Sequence, residues 1–228
     1  MNIQGFQKLT LLDFPGRTAC TVFTGGCNLR CPFCHNAGLV RTPLAQPSLT
    51  DEVLTYLARR QGILDGVCVT GGEPLLQPDL AEFLRRVKEL GYAIKLDTNG
   101  SLPERLAALL DTGLVDYVAM DIKSSPAGYA AAAGTDTDAA VFDRSIRILR
   151  DSGIPHEFRT TAVAGIHTEA DFVAIGQWLA GAPAYFIQRF VDSGQLLGEG
   201  YAAFTDDEMR HLLTVVREYV PAAQLRGC

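Results

Sequence analysis

Three cysteines, Cys27, Cys31 and Cys34, fall within one glycine-led segment, Gly25-Gly26-Cys27-Asn28-Leu29-Arg30-Cys31-Pro32-Phe33-Cys34-His35-Asn36. Clustered thiolates are soft ligands that select an iron–sulfur cluster or zinc, and ligand type alone does not separate the two. A structural zinc site needs four ligands, usually as two separated pairs. No second cysteine pair or spaced histidine pair occurs, so zinc would have to recruit His35 or a stray residue. Three cysteines on a cubane cluster instead leave one iron without a protein ligand, a position open to substrate. Cys31-Pro32-Phe33-Cys34-His35 also matches the pattern for covalent c-type haem, and Cys31 with Cys34 matches a redox dithiol. Both of these readings leave Cys27 without a role, and haem attachment needs an exported chain. A zinc or dithiol module that only binds or senses is the non-catalytic alternative.

The elements that must position these thiols follow from periodicity. Short β-rich runs at 18–24, 66–70, 93–98, 115–122, 157–163 and 184–190 alternate with helical patterns at 51–61, 79–90, 103–110, 139–151, 169–180 and 206–219. Thr50-Asp51-Glu52 and Thr205-Asp206-Asp207-Glu208 read as capped, acidic helix starts, and Gly91, Gly113, Gly153 and Gly181 as helix ends. The alternation predicts an α/β fold, an open partial (β/α)6 barrel of parallel strands. No linker divides the chain, so 1–228 reads as a single domain, with 17–228 as the barrel. Residues 1–16 end in the turn signal Asp13-Phe14-Pro15-Gly16 and predict a hairpin-like N-terminal extension. The alanine-rich stretch 127–133 reads as a loop or a short helical turn.

The cysteine segment follows the first parallel strand, at the end where barrels place their functional loops. Candidate site residues close other strands at the same end. Thr70-Gly71-Gly72-Glu73-Pro74 follows the second, and glycines there let backbone approach a ligand, or simply make a tight turn. Asp97 ends the third strand, and Asp121-Ile122-Lys123 ends the fourth. These groups suit ribose, a carboxylate or a cation; the bland alternative is a turn cap and a weak ion pair. Arg159 in the fifth strand offers a fork for a carboxylate, and Gln188-Arg189 in the sixth offers amides or a surface cation. Cys20 and Cys68 read as small buried hydrophobes, and Cys228, the last residue, as exposed and unassigned. His156, His167 and His211 read as structural or solvent-facing.

Cys-x-x-x-Cys-x-x-Cys with an aromatic before the last cysteine, here Cys27 to Cys34 with Phe33, resembles the signature of radical S-adenosylmethionine (SAM) enzymes. The resemblance implies that Cys27, Cys31 and Cys34 hold one 4Fe–4S cluster. Its open iron would bind the amino and carboxylate groups of SAM, and one electron would break the sulfonium bond to give methionine and a 5'-deoxyadenosyl radical. It further implies that Phe33 and His35 line the SAM pocket, and that Gly71-Gly72-Glu73 holds the methionine amino group. Asp97, Asp121, Lys123, Arg159 and Gln188 would complete the cofactor-binding set.

Leu11-Leu12-Asp13-Phe14-Pro15-Gly16 and Cys31-Pro32-Phe33-Cys34-His35-Asn36 resemble the glycyl-radical enzyme activating type, as do Leu96-Asp97-Thr98-Asn99-Gly100 and Asp121-Ile122-Lys123. Most similar are the longer activating proteins of anaerobic ribonucleoside-triphosphate reductase; the short activators lack much of the C-terminal half present here. The implied partner is a glycyl-radical enzyme, with a flavodoxin or ferredoxin-like electron donor. Activators of the pyruvate formate-lyase type are one alternative, and small-molecule radical enzymes such as the deazaguanine synthases another.

Composition is ordinary for a globular protein, with 47% apolar and 20% charged residues. A net charge of -6 argues against nucleic acid or an anionic membrane surface as partner. The N-terminus shows no secretory pattern and no apolar run approaches the ~18 residues of a membrane helix, so a cytoplasmic protein is expected.

Overall fold

The structure is a computed structural model and describes residues 1–41, 48–192 and 194–227; the reading of Cys228 lies outside the described residues. Eight strands form one sheet in chain order. The first, β1 (Ile3–Thr10), runs antiparallel to β2 (Ala19–Thr24). Then β3 (Gly66–Gly71), β4 (Ala93–Thr98), β5 (Tyr117–Asp121), β6 (His156–Ala162), β7 (Tyr185–Arg189) and β8 (Ala223–Arg226) follow, each parallel to its predecessor. β1 and β8 are the two ends of the sheet and do not pair, so the barrel stays open.

The six predicted strand–helix units are present. β2 to β7 are covered by α2 (Thr50–Ala58), α3 (Leu80–Glu89), α4 (Pro103–Leu110), α6 (Ala139–Asp151), α7 (Glu169–Trp178) and α8 (Asp206–Arg217). Two five-residue helices are added, α1 (Ala37–Arg41) after the cysteine segment and α5 (Tyr129–Ala133) in the alanine-rich stretch. The seventh parallel strand, β8, has four residues, too few to establish a period in sequence.

Thr205 caps α8 in a reciprocal box with Glu208, as its spacing predicts. At α2 the expected cap is not used: Leu49 stands at the cap position, and the Thr50 hydroxyl donates to the Met1 carbonyl at 2.7 Å, tying down the N-terminus.

The two faces of the sheet have opposite chemistry. Outward positions Val67, Val69, Ile94, Leu96, Val118, Met120 and Phe158 are buried with Leu84, Val87, Leu106, Ile146, Ile175 and Val216 of the helices. Each such side chain contributes ~1.5–3 kcal/mol by leaving water. Inward positions are polar. Register places Cys68 beside Lys95, Asp97 beside Ala119, Asp121 beside Arg159 and Thr161 beside Gln188. Closed barrels fill this space with branched apolar side chains; here it is left for charges and a cavity.

The turn Asp13-Phe14-Pro15-Gly16 folds back as the floor of the barrel. Phe14 is buried, its ring 6.2 Å from that of Tyr117 and against Gly66, the first residue of β3. Asp13 accepts a hydrogen bond from the Thr21 hydroxyl at 2.5 Å. The hairpin-like extension therefore supplies both an edge strand and a base. The cysteine segment leaves the opposite end.

Candidate active site at the carboxyl ends of the strands

The cysteine segment runs from the end of β2 to α1 and is laced to its neighbours by backbone bonds. Gly26 N–H donates to Leu39 at 2.8 Å, Arg30 N–H to Ala133 at 2.8 Å, and Gly198 N–H to Pro32 at 2.8 Å. The Arg30 guanidinium also caps the carbonyls of Cys27 (2.5 Å) and Leu29 (2.8 Å). A loop with no regular structure of its own is thus held by α1, α5 and the segment after β7.

Cys27, Cys31 and Cys34 line one cavity of about 350 Å³. Phe33, His35, Gly71, Gly72, Asp97, Asp121, Lys123, Arg159 and Gln188 line it too. Nine of the ten residues expected around SAM therefore meet in one place. The tenth, Glu73, is fully buried behind the wall. Its carboxylate accepts from Leu75 N–H (3.0 Å), the Thr98 hydroxyl (2.9 Å) and Asn99 N–H (2.7 Å), and so ties the end of β3 to the end of β4.

Burial pushes the Glu73 carboxyl up to about 7, against the pull of those three donors. Below its ordinary value near 4.5, folded and unfolded chains both carry the proton; between 4.5 and 7 only the folded chain does. Its contribution to stability is therefore present at acid pH and is lost as pH rises through 7, by roughly 3 kcal/mol in all. Glu73→Gln cannot satisfy all three donors, so the diagnostic is slope, not absolute stability. Denaturant midpoints of iron-free protein at about pH 5 and about pH 8 should differ less in Glu73→Gln than in wild type. Equal differences refute the assignment.

The two glycines serve contact as well as shape. A Cβ on Gly71 (φ +115°) would lie 2.3 Å from Thr24 N, and one on Gly72 would lie 1.9 Å from the Gly26 carbonyl oxygen. Gly72 N–H donates to Thr24 (2.8 Å) and Glu73 N–H to Gly26 (2.9 Å). The absence of side chains lets the end of β3 lie directly on the root of the cysteine segment.

Across the inner face runs an alternating row of charges. Lys95 pairs with Asp97; Arg159 bonds Asp97 Oδ2 (3.1 Å) and Asp121 Oδ1 (2.9 and 3.0 Å); Lys123 bonds Asp121 Oδ2 (3.0 Å). Burial would raise both carboxyls, but the charges of Arg159 and the lysines overcome it and hold Asp97 and Asp121 below the usual carboxylate range. Burial would likewise lower Lys123, and Asp121 holds it above its ordinary value. The sites stay ionised because each charge has a partner. All three guanidinium nitrogens of Arg159 are engaged by the two aspartates, whereas among the described residues Lys123 has one carboxylate partner.

The remaining sequence candidates separate. His35 packs on Phe190 (5.7 Å between rings), and burial lowers its pKa. Arg189 points away from the cavity and pairs with Asp206 of α8. Cys20 is buried on the outer face; Cys68, also buried, stands on the inner face with its sulfur 3.9 Å from Lys95 Nζ. His167, buried, bridges Val163 N–H (3.1 Å) and the Lys123 carbonyl (2.8 Å), with its ring 6.1 Å from Phe33. Gln7, Asp13, Asn99 and Thr161 also line the cavity. Asp13 and Asn99 sit inside quoted motifs, yet nothing local assigns them to the wall. Gln7 and Thr161 are legible only through strand alternation once pairing is known.

The donors fit a cluster. Three thiols face one cavity, and among the described residues no three Cys, His, Asp or Glu side chains converge enough to enclose a single metal ion. A tetrahedral zinc draws all its sulfurs to ~2.3 Å from one ion, whereas on a 4Fe–4S cluster each of the three thiolates would bind a different iron, so they need not converge on one point. Burial pushes Cys31 up to about 11 and raises Cys27 as well, so ligation must expel protons and is favoured by rising pH.

A family model for the radical SAM superfamily matches residues 21–179, from β2 through α7. The chain belongs to the radical SAM superfamily. This radical SAM enzyme takes the cofactors of its family, a 4Fe–4S cluster and SAM. It is 27% identical to a Methanocaldococcus jannaschii protein described as "Putative glycyl-radical enzyme activating enzyme", over 98% of this chain and 95% of that one. Identity is 35% both to a pyruvate formate-lyase-activating enzyme of Clostridium pasteurianum, over 53% of this chain and 52% of that one, and to a 7-carboxy-7-deazaguanine synthase of Methanopyrus kandleri, over 54% of each. In fold the radical SAM enzyme is similar to Streptococcus suis SuiB bound to S-adenosylmethionine, with TM-score 0.72 at 13% identity over 89% of this chain and 48% of that one. Among the described residues no helix is long and apolar enough to cross a membrane.

Proposed function

We propose that this radical SAM enzyme installs a glycyl radical on a large partner, anaerobic ribonucleoside-triphosphate reductase. The observation that carries the reading is the open wall. The sheet runs from β1 to β8 without closing, and the cavity it leaves, about 350 Å³, is at the low end of what ligand pockets span (~300–1,000 Å³). Cluster and SAM account for such a volume, so a further substrate reaches the site best from outside, as a loop of another protein. The near-full-length likeness to a protein described as activating a glycyl-radical enzyme supports the same reading.

In this reading Cys27, Cys31 and Cys34 ligate the cluster, and the chemistry supplied once cluster and SAM are bound is reductive cleavage to methionine and a 5'-deoxyadenosyl radical, which takes a hydrogen atom from a glycine Cα. The chain's own residues bind, orient and exclude water. Backbone at Gly71 and Gly72 receives the methionine amino group, with Glu73 holding that backbone in place. Lys123 takes the methionine carboxylate. Arg159, fully engaged, keeps Asp97 and Asp121 aimed into the cavity. Phe33, His35 and Gln188 close around the nucleoside. A flavodoxin or ferredoxin-like protein in the cytoplasm supplies the electron.

The test is to mix reduced enzyme, SAM and the reductase without oxygen and record electron paramagnetic resonance. A glycine-centred doublet is expected on the partner; its absence, with 5'-deoxyadenosine still released, sinks the assignment. A second reading, a deazaguanine synthase, is favoured by the likeness over half the chain to the Methanopyrus kandleri enzyme. It predicts turnover of a pterin substrate with no protein partner.

A further inference from the structure

We propose that Asn99 is a positioning residue for the metal centre: its side-chain amide donates to Cys27 Sγ and raises the reduction potential of the cluster. The inference rests on Cys27 being a cluster ligand. Asn99 follows the last residue of β4, is buried, and has its Nδ2 3.7 Å from Cys27 Sγ. The same nitrogen donates to Asn28 Oδ1 at 3.1 Å.

The orientation of this amide follows from its surroundings. Asn99 Oδ1 accepts from Ser101 N–H at 2.9 Å and from the Ser101 hydroxyl at 2.5 Å. Ser101 Oγ in turn accepts from Asn28 Nδ2 at 2.8 Å, which closes a ring of three side chains beside the thiol. Turning the amide over would set its NH2 against the Ser101 N–H and its oxygen against Asn28 Oδ1 and the sulfur. Three favourable contacts would become three repulsions, so the assignment is unambiguous. The Asn99 backbone is anchored separately, its N–H on Glu73 Oε2 at 2.7 Å.

Cys27 Sγ thus has a second donor besides Leu29 N–H at 3.4 Å. Among the described residues no other side chain donates to any of the three thiols. Sulfur ligands gain negative charge when a cluster is reduced, so a donor aimed at one stabilises the reduced state more than the oxidised one. Ser101, Asn28 and Glu73 act through Asn99 by holding that donor still.

The experiment compares wild type with Asn99→Ala, each reconstituted without oxygen. Iron and sulfide per chain are measured first: wild type without a cluster would refute the ligand assignment itself. With clusters present in both, potentiometric titration should place the midpoint of Asn99→Ala at a more negative potential, and Asn99→Ser, which restores a shorter donor, should lie between. An unchanged midpoint overturns the inference. Pulsed paramagnetic resonance of the reduced wild-type cluster, labelled with 15N in asparagine side chains, decides the matter even where the variants shed iron. A coupling to the amide nitrogen supports the bond, and no coupling overturns it.

Discussion

Cys31→Ala is expected to emerge from anaerobic reconstitution without stable iron, and to release no 5'-deoxyadenosine above background with reductant and SAM. Cys31 is the middle of three thiols on one loop and lines the same cavity as the other two. On the proposed ligation by Cys27, Cys31 and Cys34, its removal would leave two protein ligands for a cluster that already has one iron without any. The fold should persist, because the buried Cys31 belongs to an irregular segment while the sheet is packed by outward-facing residues such as Val67, Leu96 and Met120. The informative control is Cys68→Ala. That sulfur is also buried and also faces inward, but it lies deep in β3 beside Lys95, away from the loop. Its loss should leave iron content unchanged at a stability cost of roughly 1 kcal/mol. Iron and sulfide analysis with circular dichroism separates the two variants. Full iron retention in Cys31→Ala would remove the basis of the site.

Gly72→Ala should be nearly as damaging through packing alone. The added methyl would lie 1.9 Å from the Gly26 carbonyl oxygen, and its nearest neighbours are backbone, not a flexible side-chain end. The strand end cannot back away cheaply, because Gly72 N–H and Glu73 N–H both bond the segment they would have to leave. Overpacking of this kind costs about 1–3 kcal/mol, occasionally more. The strain falls on Gly25 to Cys27, so the expected result is a folded protein with a lowered melting temperature, poor cluster retention and weak SAM binding. Gly38→Ala in α1 is the matched control, since a Cβ there meets nothing within 4 Å among the described residues. Normal iron content in Gly72→Ala would show that the two backbones are free to separate.

These expectations differ in what they draw on. The thiols and their rivals were legible in the chain, because ligand chemistry depends on residue type and on spacing within one loop. The six repeated units were legible too, since alternation of strand and helix patterns is a local property and parallel order follows from it.

Other features depended on register and on contacts between distant segments. Arg159 read as a carboxylate clamp for a ligand; once β6 lies beside β5, its fork is taken by Asp121 and Asp97. Glu73 read as part of a ligand-binding turn; its side chain turns inward to Thr98 and Asn99, across a strand boundary no local pattern can cross. Thr50 read as a cap and instead holds Met1. Asp13-Phe14-Pro15-Gly16 was plainly a turn, but that it is the barrel floor depends on Tyr117 and Gly66 standing above it. The four residues of β8 carry no period, and the place of that strand is set by pairing with β7. The sequence by itself determined the metal chemistry and the order of units, which rest on residue type and short-range repetition. Only the tertiary structure decided which charges are already partnered, which glycines are steric necessities and which amide reaches the thiol, because those outcomes depend on distances between residues far apart in the chain.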